Sequence, residues 1–443
     1  MPGAAPLRLY NGRAEMRGPG NTTAIVGGLI VAAAWIAGAT GLPASYQAGV
    51  RVLPGLVALL LLVLAWRFRR SRLAAAAAAV AVTDLLLRGP LATSLTDGIG
   101  PGLAALALLL PINLGLLVWL RDRPVQSPWS LLHLAAIAFQ PWLVSVLILA
   151  WTRPDEGAPS AAWLELLGSP QAAALAFLMA AVFAALAFAA HRAPFEVALL
   201  WVLVATALAV LGPGDLPQRS LLLAAAQLAL LAGVIEDSYR LAYHDQLTGL
   251  PGRRALDETL ERLDGEYVIA MVDVDRFKRF NDRFGHDAGD QALRMVADEL
   301  THAAEGGRAF RYGGEEFALL FTGRTPAPVS LALEQLRAAV EARVFTIRSP
   351  DRPREKPEEP VAPSGATERV TLTVSIGAAA PGPHHPRPDD VLHAADAALY
   401  RAKRRGRNRV VVDGVRSTSR GAAEGRGHRA ASQRSIFDED GTD

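Results

Sequence analysis

The sequence predicts two architectures in series: an all-α polytopic membrane domain of about eight helices, then a soluble α/β domain. Three observations carry this reading. The 443 residues are 51% hydrophobic but only 7% aromatic. Charge is spread unevenly: residues 22–235 hold 11 arginines, no lysine and 8 acidic side chains, whereas the 208 residues from Glu236 onward hold 31 basic and 34 acidic ones. Beyond Glu236, short apolar strands alternate with amphipathic helices. The absence of cysteine excludes a disulfide scaffold, thiolate catalysis and cysteine-based zinc or iron–sulfur sites. The net charge of +2 divides into +5 before Glu236 and −3 after it, which argues against nucleic acid as a partner.

A membrane-crossing helix needs about 20 mostly apolar residues. Eight segments qualify: 22–42, 48–66, 73–87, 99–120, 130–151, 171–190, 195–211 and 219–235. The third, built on the run Ala74–Ala79, is the weakest. The first is too long for the apolar core of a removable signal peptide, and further apolar segments follow it. Arginine placement sets the orientation, because cytoplasmic loops retain positive charge. With a cytoplasmic N-terminal segment (1–21), ten arginines fall inside (Arg8, Arg13, Arg17, Arg67, Arg69, Arg70, Arg72, Arg121, Arg123 and Arg192) and four outside (Arg51, Arg88, Arg153 and Arg219). The expectation is a multi-pass protein of the inner (cytoplasmic) membrane, in contact with the lipid bilayer, with both termini in the cytoplasm. Polar residues within or near the spans are few: Asp84, Asn113, His133, Gln140, His191 and Glu196. Asp84 is expected to pair with Arg88 one turn on, and His191 and Glu196 to lie at the interface around Pro194. With no evident charge relay, sensing fits 22–235 better than ion-coupled transport, although a transporter regulated by the soluble part is an alternative.

Residues 236–243 continue the last span as a helical linker, with no proline or glycine to interrupt them. The soluble domain, 244–414, then reads as strand Tyr267–Val274, helix Ala288–Ala304, a hairpin of Arg308–Tyr312 and Phe317–Phe321 around Gly313-Gly314, helix Leu331–Val344, strand Val370–Ile376, helix Pro388–Arg405 and strand Val410–Val412. A β-α-β-β-α-β order with a central hairpin predicts a ferredoxin-like, palm-type sandwich. Residues 349–368, dominated by proline and charge, read as an insertion, and 415–443 as a disordered tail.

Three elements converge on one chemistry. Strand Ile269–Val272 delivers Asp273 and Asp275, which alternation places on one face. The hairpin tip Gly313-Gly314 presents Glu315 and Glu316, and its glycines allow a tight turn and a large ligand. Carboxylates on adjacent strands suit Mg²⁺, which shares oxygen ligands with substrate phosphates. Lys403 and Arg407, four apart at the end of the last helix, are expected on one helical face, suited to phosphate oxygens. Each element alone is unspecific.

In order along the chain, the motifs are His244-Asp245-Gln246-Leu247-Thr248-Gly249-Leu250 with Arg253-Arg254; Asp273-Val274-Asp275-Arg276-Phe277-Lys278-Arg279-Phe280-Asn281-Asp282; Phe284-Gly285-His286-Asp287 with Gly289-Asp290; Arg311-Tyr312-Gly313-Gly314-Glu315-Glu316-Phe317; Ser375-Ile376-Gly377; and Asp396-Ala397-Ala398-Leu399-Tyr400 through Asn408. Together they resemble the GGDEF domain family, the diguanylate cyclases, over about 170 residues. The resemblance implies condensation of two GTP into cyclic di-GMP and two pyrophosphates by a homodimer, with Mg²⁺ or Mn²⁺ as cofactor and cyclic di-GMP receptors downstream. It implies Asp273, the Val274 carbonyl, Glu315 and Glu316 as metal ligands, and Glu315 as general base with Glu316 and Lys278 as further catalytic residues. Asn281 and Asp290 match guanine contacts and His286 the ribose side. Gly313 and Gly314 line the substrate, Lys278, Lys403 and Arg407 grip phosphate, and Asp245 pairs with Arg311. Two departures stand out. The family's inhibitory RxxD motif is replaced by Ala304-Glu305-Gly306-Gly307, and the insertion occupies a family hairpin that is usually short. The alternative from another class is a catalytically silent GGDEF module that binds nucleotide as a receptor.

Overall fold

The structure, a computed structural model, describes residues 21–89, 101–152, 169–303, 306–347 and 368–413. The expectations for the N-terminal segment 1–20, the bulk of the insertion and the tail from 415 lie outside these residues, as do Arg153, Ala304 and Glu305. The chain divides into two compact units, one ending at Tyr239 and the other beginning at Arg240.

Eight helices are found in the first unit among the described residues: α1 Asn21–Ala39, α2 Ala44–Arg67, α3 Ser71–Arg88, α4 Pro101–Leu116, α5 Pro128–Thr152, α6 Pro170–His191, α7 Pro194–Leu211 and α8 Leu216–Tyr243. Each coincides with a predicted segment. Six are long and apolar enough to cross a membrane; α3, bearing Arg72, Asp84 and Arg88, and the short α4 are not among them. The alanine run of α3 is deeply buried, with Ala74, Ala76 and Ala77 wholly inaccessible. Small side chains there let neighbouring backbones approach closely. The outer faces of α1, α2 and α6 leave Leu29, Leu56, Leu59, Leu178 and Leu186 exposed, an apolar surface that water would disfavour. α8 continues unbroken through the predicted linker to Tyr243.

Polar groups in this unit are paired across long sequence distances. Asp84 meets Arg88 at 2.6 Å, as expected, and accepts a further bond from the Ser220 hydroxyl. His191 is exposed at the end of α6; Glu196, in the first turn of α7, is only 3% exposed and accepts a hydrogen bond from Arg72 at 3.1 Å. The same guanidinium donates to the Leu117 carbonyl and lies 4.3 Å from the Phe195 ring centroid. Arg219 donates to the carbonyls of Ala209, Val210, Gly212 and Gly214, satisfying the end of α7. Near the end of α8, Glu236 accepts from the backbone and hydroxyl of Thr23, and Asp237 meets Arg70 at 2.5 Å.

The second unit contains α9 Arg253–Glu261, β1 Tyr267–Val274, α10 Phe277–Phe284, α11 His286–Ala303, β2 Gly307–Arg311, β3 Glu316–Thr322, α12 Pro326–Ala342, β4 Val344–Ile347, β5 Glu368–Thr371, β6 Val374–Ala379, α13 Pro388–Arg404 and β7 Val410–Val412. Its main sheet has the order β2-β3-β1-β6-β7, antiparallel throughout except for the β6–β7 pair. Strands β1, β2, β3 and β6 reproduce the predicted ferredoxin-like order. Every residue of the central β1 is buried. Its alternation divides the core in two: Val268, Ala270, Val272 and Val274 pack with α11 and α12, and Tyr267, Ile269 and Met271 with α9 and α13.

The structure corrects the expected strand Val370–Ile376. It is two strands: β5 pairs antiparallel with β4 in a separate two-stranded sheet, and β6 belongs to the main one. Ile347 and Glu368 face each other across β4 and β5, so the insertion joins the two strands of a hairpin, and Glu368 belongs to β5 rather than to the insertion.

Candidate active site

The acidic end of β1 is the focus. In the ladder Asp273 stands opposite Glu316 on β3 and Ser375 on β6. Its carboxyl is 6% exposed and ion-paired with Lys403, whose Nζ lies 2.7 Å from Oδ2. Burial pushes the Asp273 carboxyl above its usual range; Lys403 opposes this, and the charges of Glu316 and Asp275 reinforce it. Glu315, on the hairpin just before β3, is raised first by burial and then by Asp273, with Lys403 again opposing. The backbone carbonyl of Glu315 accepts the Val274 N–H at 3.3 Å, joining the hairpin to the end of β1.

The glycines of the hairpin act by clearance. Neither Gly313 nor Gly314 takes a left-handed φ. A Cβ on Gly313 would come within 2.9 Å of the Glu316 carboxylate, whereas one on Gly314 would meet nothing. Arg311 braces the turn, donating to the Gly313 and Gly314 carbonyls and to Asp245 Oδ1 at 2.7 Å. The expected Asp245–Arg311 pair is therefore present. Burial raises the Asp245 carboxyl, but the hydrogen bonds from Arg311 and Thr248 outweigh it and hold the group below its usual range.

The remaining predicted residues lie on the helices that follow β1. Phe277, Phe280 and Phe284 turn α10 inward, which leaves Lys278 and Asn281, three apart, on a neighbouring face. Lys278 is exposed, and so are His286 and Asp290, which share a face of α11 four residues apart. Asn281 is half-buried; its Oδ1 has no protein partner and lies against Gly289, where any Cβ would collide with it. Gly289 is thus a site residue absent from the sequence-based set. Its signal was a glycine inside a helix, where glycine is costly without a packing reason.

Arg407 requires a correction. It does not share a helical face with Lys403, because α13 ends at Arg404. Gly406 (φ +109°) closes the helix: its N–H donates to the Lys403 carbonyl and that of Arg407 to the Ala402 carbonyl, which is a Schellman arrangement. Arg407 lies beyond it, exposed and itself left-handed (φ +61°). Asp275 also differs from its expected role beside Asp273. It is saturated by protein donors: the Ser375 and Thr373 hydroxyls and the Asn408 N–H.

The donor set fits a hard divalent cation. Among the described residues no three acidic or imidazole side chains form a metal cage. Asp273, Glu315, Glu316 and the Val274 carbonyl nevertheless offer oxygen only, and a single ammonium opposes three carboxylates. Mg²⁺ characteristically takes one or two carboxylates and completes its shell with water and substrate phosphate.

The family model described as diguanylate cyclase, GGDEF domain, matches residues 242–409. Residues 242–409 are a GGDEF domain. The chain is 37% identical over 186 residues to the diguanylate cyclase DgcP of Pseudomonas aeruginosa, a match covering 40% of this chain and 25% of that one. It is 36% identical over 188 residues to the response regulator PleD of Caulobacter vibrioides, covering 40% and 37%. Among solved structures, the coiled coil and GGDEF domain of DgcB from Caulobacter crescentus in complex with c-di-GMP is 35% identical, with 42% of this chain and 94% of that chain covered and a TM-score of 0.37. The chain therefore spans between a quarter and two fifths of the length of these curated relatives.

Proposed function

We propose that this protein is a membrane-anchored diguanylate cyclase. Two GGDEF domains, each holding one GTP, meet antiparallel, and each 3′-hydroxyl attacks the partner nucleotide's α-phosphorus. Two P–O bonds form and two break, giving cyclic di-GMP and two pyrophosphates. The observation that carries this reading is the buried Asp273, opposed to Lys403 and set beside a Glu315 whose proton affinity burial raises. A carboxylate whose proton affinity is raised is a better acceptor for the 3′-hydroxyl proton. Mg²⁺ or Mn²⁺, held by Asp273, Glu315 and the Val274 carbonyl with support from Glu316, supplies charge neutralisation at the phosphates. Lys278, Lys403 and Arg407 bind phosphate oxygens. Asn281 and Asp290 read guanine, and His286 lies toward the ribose. Gly313 and Gly314 leave room for the nucleotide.

Residues 22–235 anchor the enzyme in the cytoplasmic membrane and control its output through α8, with the GGDEF domain in the cytoplasm. Six long apolar helices, exposed leucine faces and the arginine asymmetry support this. The receptor alternative is disfavoured because both signature carboxylates and both guanine-matching residues are present. Incubation of the detergent-solubilised full chain with GTP and Mg²⁺, with products identified by mass, tests the reading. Cyclic di-GMP and pyrophosphate are expected from the native chain, and none from Glu315→Gln, whose amide cannot accept the proton. Tight GTP binding without turnover by the native chain would favour the receptor.

A further inference from the structure

Asp275 lies two residues beyond Asp273 and is 6% exposed, yet it faces protein rather than the nucleotide site. Its Oδ1 accepts the Ser375 hydroxyl at 2.6 Å; its Oδ2 accepts the Thr373 hydroxyl at 2.7 Å and the Asn408 N–H at 3.0 Å. Three consecutive residues of the turn that Asp275 holds, Gly406, Arg407 and Asn408, have positive φ. Two of them carry a Cβ, so the turn persists only where its surroundings fix it.

The Asn408 side chain supplies the second half of that fixation. Its Oδ1 accepts from Arg337 at 2.7 Å, and its Nδ2 donates to Glu341 Oε1 at 2.8 Å. Arg337 is itself clamped by Glu334 and by Glu341 Oε2, both at 2.6 Å. The turn is thus fastened at its backbone to the acidic end of β1 and at its side chain to α12. Arg407 leaves the chain one residue before Asn408, and Lys403 reaches Asp273 from the helix that this turn closes.

We propose that Asp275 and Asn408 are positioning residues: their clasp fixes where Arg407 projects, and so sets affinity for the triphosphate of the substrate. The proposal rests on the diguanylate cyclase reading for the identity of that substrate. It explains why a second carboxylate follows Asp273 so closely. One acid faces the reaction and the other holds the frame on which the phosphate-binding cation is mounted.

The test uses the full chain in detergent micelles, with GTP affinity measured by equilibrium dialysis alongside KM and kcat. Asn408→Ala is expected to weaken GTP binding and raise KM by roughly tenfold, as for a lost charge-assisted contact, with a smaller change in kcat. Glu341→Ala, at an exposed position that leaves the core intact, is expected to shift both in the same direction by roughly threefold. Asp275→Asn, which cannot accept all three donors, is expected to act like Asn408→Ala. The decisive comparison is with Arg407→Ala: if the clasp works through Arg407, adding Asn408→Ala to that variant costs nothing more. Additive losses, or unchanged affinity in both Asn408→Ala and Glu341→Ala, would overturn the proposal. If the native chain binds GTP without turnover, the cyclase reading fails while the dialysis arm still decides the clasp.

Discussion

Lys403 Nζ lies 2.7 Å from Asp273 Oδ2 and is set against the carboxylates of Asp273 on β1, Glu316 on β3 and Glu315 on the hairpin before it. A lysine on the last helix of the domain thereby neutralises an acid on its first strand. Charge concentrated in this way stores a stability cost that is available to ligand binding, and the first prediction measures it.

Burial raises the Asp273 carboxyl, so its contribution to stability is full below the ordinary value of 3.8 and is lost as pH rises through the higher folded value. At neutral pH the ionised group therefore burdens the fold. Asp273→Asn should abolish turnover yet raise the unfolding temperature of the GGDEF domain by about 2–4 °C, the equivalent of roughly 1 kcal/mol. Lys403, one-third exposed, is left to water. A lowered melting temperature at pH 7 would contradict this account.

Asp245 behaves oppositely. Its folded value is depressed, so the stability it lends through Arg311 is present above 3.8 and disappears as pH falls through the folded value. Asp245→Asn should cost about 1.5–3 kcal/mol at pH 7, as for hydrogen bonds to a charged group, and progressively less in acid. Urea unfolding of native and variant chains across that pH range gives the comparison; a difference independent of pH would exclude the ionic origin.

Gly289→Ala places a methyl group against the Asn281 amide. Overpacking of this kind costs about 1–3 kcal/mol, and here it falls on a proposed guanine contact. KM for GTP should rise by roughly tenfold with a smaller fall in kcat, while the circular-dichroism spectrum is preserved. An equal loss for GTP and for inosine triphosphate, which lacks the guanine amino group, supports displacement of Asn281. An unchanged KM would remove both residues from the base pocket.

If all eight helices cross a membrane, as proposed, both ends of residues 22–235 lie on one side, which the proposed function makes the cytoplasmic one. A reporter fused ahead of Asn21, active only in the cytoplasm, should be as active as one fused after Asp413. An inactive first fusion beside an active second one would eliminate α3 or α4 as a crossing, since these two do not meet the length and hydropathy expected of a spanning helix.

Much of this was legible locally. The short apolar run Tyr267–Val274 marks the sheet's central strand, the apolar segments coincide with the eight helices of the described residues, and Asp273 and Glu316 fall on partner strands. What escaped local reading depended on partners far along the chain. The break between β5 and β6 occurs where the Thr373 carbonyl accepts the Asp275 N–H and its hydroxyl donates to the same residue, 98 positions away. No periodicity in Val370–Ile376 records that. The Arg72 partner of Glu196, 124 residues distant, leaves no local mark either. Arg407 departs from the helical spacing for another reason: Gly406, of the residue type that most often ends a helix, intervenes between it and Lys403.

The β4–β5 pair has a practical consequence. Ile347 and Glu368 are ladder partners, so any chain joining them leaves and returns at points about 5 Å apart. The entropy of closing such a connection grows only logarithmically, about 0.6 kcal/mol for each doubling of length. Neither strand belongs to the five-stranded sheet that holds Asp273 and Glu316. The hairpin is therefore a natural port for cargo: a fluorescent protein or an affinity module whose own termini lie close together can be spliced there, converting the protein into a reporter of its own location without touching the strands that hold Asp273 and Glu316.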